Sequence, residues 1–118
     1  MLIHFFVMNE SEKKEITKIV LSLRSEIIKG SLKFQNSKNF PIGCCGNASE
    51  ILERRLLEKG FYPIERKVNM WFNNQSHSWL VYKGYIIDIT IDQFKTHKNL
   101  PFIQSVANST FHKKFYKD

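Results

Sequence analysis

The stretch Ser76-His77-Ser78-Trp79-Leu80-Val81-Tyr82-Lys83-Gly84-Tyr85-Ile86-Ile87-Asp88-Ile89-Thr90 narrows the choice of fold more than any other part of the chain. Two runs rich in β-branched and aromatic residues flank Lys83-Gly84, and a two-residue loop there predicts a hairpin. Its register would pair Tyr82 with Tyr85, Val81 with Ile86, Trp79 with Asp88 and His77 with Thr90. Opposed residues share a face, as do residues two apart on one strand, so His77 and Asp88 become diagonal neighbours roughly 7 Å apart at the backbone. A carboxylate flanked by Ile86, Ile87 and Ile89 is costly to bury unless paired, and His77 is the partner within reach. An acid so placed fixes the tautomer and orientation of an imidazole, which can then act as base to a thiol.

The thiol comes from Phe40-Pro41-Ile42-Gly43-Cys44-Cys45-Gly46-Asn47-Ala48-Ser49. Cys45, Ala48, Ser49, Leu52 and Leu56 follow the i, i+3, i+4, i+7, i+11 spacing of one buried helical stripe, Glu50 stands four residues before Arg54, and Gly60 supplies a stop. A cysteine in the first turn of a helix sees unpaired backbone N–H groups and the positive end of the dipole, which favour thiolate over thiol. Cys44 lies off the stripe and is read as a bystander.

A longer helix is predicted to begin at Asn9 as N-cap with Glu12 three residues on, to end at Gly30, and to bury Ile16, Ile19, Val20, Leu23, Ile27 and Ile28. Ser31 to Asn39 is polar and turn-like. Phe61 to Phe72 reads as a strand with Ile64, Val68, Met70 and Phe72 on one face and Arg66 as the exception, followed by a turn at Asn73-Asn74-Gln75-Ser76. Beyond Phe94 no period is legible, so Lys95 to Asp118 is expected to be irregular or weakly helical. The fold class is α+β, in a single domain over the 118 residues.

Apolar content of 42% and charged content of 25% are those of an ordinary globular protein. The start of the chain lacks the basic n-region and cleavage site of a signal peptide, and two adjacent cysteines give no disulfide framework; a cytoplasmic setting is the expectation, with delivery by another route left open. The net charge of +7 is scattered along the chain without a basic block, zinc finger or Gly-rich phosphate loop. This favours a solvated surface over a nucleic-acid or membrane face and leaves an acidic protein partner open. A zinc site from Cys44, Cys45 and a histidine is disfavoured, because vicinal cysteines chelate poorly and no C-x-x-C or H-x-x-x-H occurs. No cofactor is implied, and His4, His97 and His112 are read as surface or core histidines without a role.

Gly43-x-Cys45 opening a helix with a small residue at Ser49, then His77-x-Trp79 on one strand and Asp88-x-Thr90 on the next, resembles the core of the transglutaminase-like branch of the papain-like cysteine enzymes. The fuller pattern, Pro41-x-Gly43-x-Cys45, Ser76-His77-x-Trp79 and Ile87-Asp88-Ile89-Thr90-x-Asp92-Gln93-Phe94, is similar to that of small uncharacterised bacterial proteins of this type, over about residues 40 to 94. The resemblance implies a Cys-bearing helix packed on a small antiparallel sheet, and acyl transfer on an amide or ester with Cys45, His77 and Asp88 as the catalytic triad. It leaves peptidase, amidase, deamidase and cross-linking activities open. Papain-like chemistry needs a second oxyanion donor, for which Asn39, six residues before Cys45, is the candidate, with Gln35 also in that connection. Trp79 would shield the His-Asp pair from water, and Thr90 and Gln93 would buttress it. The opposing reading is a non-catalytic binding module of the same fold whose basic surface holds an acidic protein or nucleic acid.

Overall fold

The computed structural model describes residues 7–70, 76–94 and 100–115. Helix α1 spans Glu10–Lys29. Its N-terminus closes as a capping box: Asn9 Oδ1 accepts the Glu12 N–H at 2.8 Å, and Glu12 Oε1 accepts the Asn9 N–H at 3.3 Å. Gly30 ends it in the left-handed conformation, φ 81°. Ile16, Val20, Leu23 and Ile27 are buried, whereas Ile28 is 64% exposed. One step along a helix turns about 100°, which carries Ile28 off the stripe that Ile27 belongs to.

Helix α2 spans Cys45–Glu58 and buries Ala48, Ser49, Leu52 and Leu56. The chain enters it through Gly43 at φ 72°, a turn that a residue with a Cβ adopts at a penalty. Lys59 caps it and Gly60, with φ 91°, leads the chain away.

Four strands, β1 (Glu65–Met70), β2 (Ser76–Tyr82), β3 (Tyr85–Ile87) and β4 (Ile103–Ser105), form an antiparallel sheet in the order β1-β2-β3-β4. Lys83 and Gly84 both take positive φ, 49° and 77°, as a type I′ hairpin turn requires. Tyr82 faces Tyr85 and Val81 faces Ile86, in the predicted register. The ladder stops at Ile87, because the Asp88 N–H donates to the Phe102 carbonyl at 2.8 Å and Thr90 leads into a 3-10 turn at Ile91–Gln93. The expected Trp79–Asp88 and His77–Thr90 pairings are therefore absent from it, and His77 pairs instead with Asn69 of β1.

Strand β1 is shorter than the predicted Phe61 to Phe72, and Phe72 and the turn at 73–75 fall outside the described residues. Its Val68 is 58% exposed, since an edge strand has a neighbour on one side only. Arg66, the apparent exception in the strand, reaches over α2 to Glu53 at 3.8 Å and Glu50 at 4.0 Å. The expectation of irregular chain after Phe94 misses β4, a three-residue strand too short to display a period but held by the pairing of Ile103 with Ile87.

Alternation along β2 and β3 sends side chains to two apolar layers. Leu80, Tyr82 and Ile87 join Leu23, Leu52 and Leu56 under the two helices. Trp79 and Ile86, on the other face, join Ile91, Phe94, Phe111 and Phe115. Among the described residues, no helix is long and apolar enough to cross a membrane.

Candidate active site

Helix α2 meets the sheet at β2, where the Ser49 hydroxyl donates to the Ser78 carbonyl at 3.4 Å. This contact brings Cys45, at the first position of the helix, beside Ser78 and its neighbour His77. No acidic residue occupies the first helical turn, so the positive end of the dipole is left for the thiol. Burial alone would push the half-buried Cys45 thiol up. The neighbouring His77 imidazole, with contributions from the Ser78 backbone and hydroxyl, outweighs it and holds the thiol below its ordinary value.

Cys44 goes the other way. It is the N-cap, wholly buried, with its Sγ 3.4 Å from the carbonyls of Asn36 and Ile42. Burial first, and then the neighbouring Cys45, push its thiol up, the opposite direction to Cys45.

His77 and Asp88 are wholly buried, and His77 Nε2 lies 2.6 Å from Asp88 Oδ2. The carboxylate thus accepts the Nε2–H and leaves Nδ1 as the basic nitrogen. Among the described residues the buried Nδ1 has no hydrogen-bond partner, and no bond is closed to Cys45 although the ring is near enough to act on the thiol. An unfilled imidazole nitrogen beside a thiol is the geometry from which a proton can be taken. Burial would depress the imidazole, but the Asp88 charge and hydrogen bond, with Cys45, push it up to about 9. Burial likewise opposes ionisation of Asp88, and His77 and His112 together hold its carboxyl below the usual range.

The ring of His77 is enclosed by aromatic side chains, Phe94 at 5.0 Å, Phe115 at 5.4 Å and Trp79 at 5.5 Å between centroids. Trp79 is 4% exposed and lies where a shield was expected. Removing water from around an ion pair lowers the local dielectric and strengthens it.

The supporting residues divide. Thr90 acts through its backbone, whose N–H donates to Asp88 Oδ1 at 3.2 Å, while its hydroxyl is buried without a partner. Gln93 is not among the partners of Asp88; its Oε1 is buried and unpaired. Asn39 and Gln35 are exposed, Asn39 closing a 3-10 turn at Ser37–Asn39. Among the described residues nothing draws the Asn39 amide into the site, and the first backbone N–H groups of α2 are the donors that the helix start leaves without intrahelical partners beside the thiol.

Sequence reasoning missed His112, which was read as having no role. It is buried, and its Nε2 lies 2.7 Å from Asp88 Oδ2. Phe111 and Phe115 bracket it at a spacing of four, an apolar frame around a histidine that was the available signal. His4 and His97 lie outside the described residues. Donor atoms of His77, Asp88 and His112 lie within 4.8 Å of one another. Both imidazoles approach one carboxylate oxygen at hydrogen-bond length through Nε2, so the cluster is read as a hydrogen-bonded one.

Comparison with protein-family models, with curated proteins and with solved structures finds no match to this chain, so its functional reading rests on the geometry of its own residues.

Proposed function

We propose that the protein is a cysteine-dependent acyl-transfer enzyme acting on amide bonds of a peptide or protein, with a transglutaminase-like arrangement of Cys45, His77 and Asp88. The observation that carries this reading is the buried His77, bound to Asp88 through Nε2 and presenting an unpartnered Nδ1 on the side of a half-buried thiol at a helix start. The Cys45 thiolate attacks the carbonyl carbon, and backbone N–H groups of the first turn of α2 hold the oxyanion. As the C–N bond breaks, the proton that His77 took from the thiol passes to the departing amine. Water or a second amine then opens the thioester, giving up its proton to His77 and returning the thiol.

A thioester-forming test follows. The protein is incubated with an activated ester and with a panel of glutamine- and peptide-amide probes, and acyl groups on Cys45 are read by mass spectrometry and trapped with hydroxylamine. Acylation of Cys45, lost in Cys45→Ala and His77→Ala and retained in Cys44→Ala, supports the reading. Full turnover in Cys45→Ala overturns it, as does an unreactive thiol in a chain whose salt-sensitive binding to an acidic partner ignores both substitutions.

A further inference from the structure

Asp88 Oδ2 receives two imidazoles, His77 Nε2 at 2.6 Å and His112 Nε2 at 2.7 Å, while Oδ1 receives the Thr90 N–H at 3.2 Å. Ser109 completes the row. Its hydroxyl meets His112 Nδ1, and the His112 backbone N–H donates back to Ser109 Oγ at 3.3 Å. We propose that His112, seated by Ser109, is a positioning residue for the thiol chemistry, a second imidazole that holds Asp88 ionised and aimed at His77. This rests on the proposed function of Cys45, His77 and Asp88.

The carboxylate sets the hydrogen-bond roles on its side of the row. An ionised carboxylate only accepts, so both histidines donate to it through Nε2–H. A neutral His112 is then left with a bare Nδ1, which the Ser109 hydroxyl fills as donor, so the donors converge on Asp88, from Ser109 through His112 on one side and from His77 on the other. His112 stacks on His77 at 6.2 Å and 25° and meets the edge of Trp79 at 4.8 Å, so its plane is fixed as well as its hydrogen bonds.

The energetic reason lies in the burial of Asp88. A carboxylate with no solvent contact stays charged only through its donors, and among the described residues it has three N–H groups. Without His112 the neutral acid becomes competitive, a neutral acid does not support imidazolium at His77, and a neutral His77 does not support thiolate at Cys45. The other charged groups near the row are engaged elsewhere or lie at its rim. Arg24 on α1 binds Asp92 and the Ile89 carbonyl, while Glu65, Lys67 and Lys113 line a cavity of about 280 Å³ that borders Ser109 and His112.

The experiment is the pH dependence of Cys45 alkylation by iodoacetamide in the full chain, read by mass spectrometry, for wild type, His112→Leu, His112→Gln, Ser109→Ala and His77→Ala, with circular dichroism as the check on folding. Expected is an apparent thiol pKa raised by about one unit in His112→Leu, a tenfold slower reaction at a pH below both values. His112→Gln, whose carboxamide N–H can still donate to Asp88, recovers part of the loss, and Ser109→Ala moves the profile the same way by less. A wild-type profile in folded His112→Leu overturns the proposal. So does a Gln variant no better than Leu, which would reduce His112 to packing. Should the Leu variant fail to fold, a wild-type profile in both His112→Gln and Ser109→Ala overturns it, and a shift in both supports it. If wild type itself reacts like a free thiol and His77→Ala changes nothing, the proposed function has failed along with the role of His112. A His77-dependent profile that ignores His112 and Ser109 refutes this inference alone.

Discussion

His77 Nε2 and Asp88 Oδ2 are 2.6 Å apart and neither side chain has any exposure to solvent. In that setting the carboxylate does two things at once: it selects the tautomer that leaves Nδ1 bare, and it makes the protonated ring favourable despite burial. Asp88→Asn keeps the shape and removes both. A carboxamide can turn its NH₂ toward Nε2 and accept the opposite tautomer, so acyl transfer is expected to fall by at least about 100-fold. The Cys45 alkylation profile would move toward that of a free cysteine while circular dichroism stays native.

The same pair sets a pH dependence of stability with a definite sign. The folded His77 is raised from 6.5 to about 9, so its contribution is fully present below 6.5 and is lost as pH rises through about 9. Asp88 is lowered, so its contribution is present above the ordinary carboxylate range and is lost as pH falls through its depressed value. Urea midpoints should therefore decline between pH 6.5 and 9 in wild type, and His77→Gln should flatten that limb. An equal decline in both proteins would place the alkaline loss elsewhere.

The two cysteines are expected to separate cleanly. Cys45 is half-buried with a lowered thiol, and Cys44 is sealed against the Asn36 and Ile42 carbonyls with a raised one. At neutral pH one equivalent of a maleimide should label Cys45, with Cys44 reacting only after denaturation. Peptide mapping reads the site directly, and labelling of Cys44 in the native protein contradicts the placement.

Much of this was legible before any coordinates. The capping box at Asn9, the Gly30 stop, the Lys83-Gly84 turn and the α2 stripe are local patterns in which a few adjacent residues decide the conformation. The hairpin register pointed to the proximity of His77 and Asp88, although the ladder ends at Ile87 and the contact is made by side chains beyond it. What was not legible is long-range. Strand β4 exists because β3 offers it an edge, and His112 matters because the C-terminal segment folds back over the sheet face that carries His77. Asn39 was chosen by its distance along the chain from Cys45, a measure that does not report where a turn points.

Arg24 joins three parts of the molecule and should be sensitive. Its guanidinium binds Asp92 through both oxygens at 3.0 and 2.8 Å and the Ile89 carbonyl at 2.8 Å, and it lies over the rings of Phe40 and Phe102 at 5.0 and 4.7 Å. It thereby ties α1 to the turn after Asp88 and to the segment leading into Cys45. Arg24→Leu is expected to destabilise by about 2 kcal/mol, because Asp92 and the Ile89 carbonyl lose a charged donor. Arg24→Lys should recover little, since an ammonium cannot reproduce the planar fork. Chemical denaturation of the three proteins decides it, and near-wild-type stability in the lysine variant would reduce Arg24 to a point charge.

Glu12 offers a contrasting case, in which one side chain serves both a helix end and the hairpin. Its carboxylate caps Asn9, accepts the Tyr82 hydroxyl at 2.7 Å and pairs with Lys83 at 3.2 Å. Burial opposes its ionisation, yet Tyr82, Lys83 and Asn9 together keep its carboxyl below the usual value, so the charge is present at neutral pH. Glu12→Ala removes the reciprocal half of the capping box and strands a buried tyrosine hydroxyl, a loss of about 2 kcal/mol. Glu12→Gln keeps one oxygen for the Asn9 N–H and presents an NH₂ to the Tyr82 oxygen, which then accepts instead of donating, and it loses the attraction to Lys83, a partly exposed pair worth under about 1 kcal/mol. The ordering Ala below Gln below wild type, with the gap between Gln and wild type closing in high salt, is the expected result in urea titrations. A Gln variant as unstable as Ala would mean that the charge, and not the hydrogen bonds, ties the hairpin to α1.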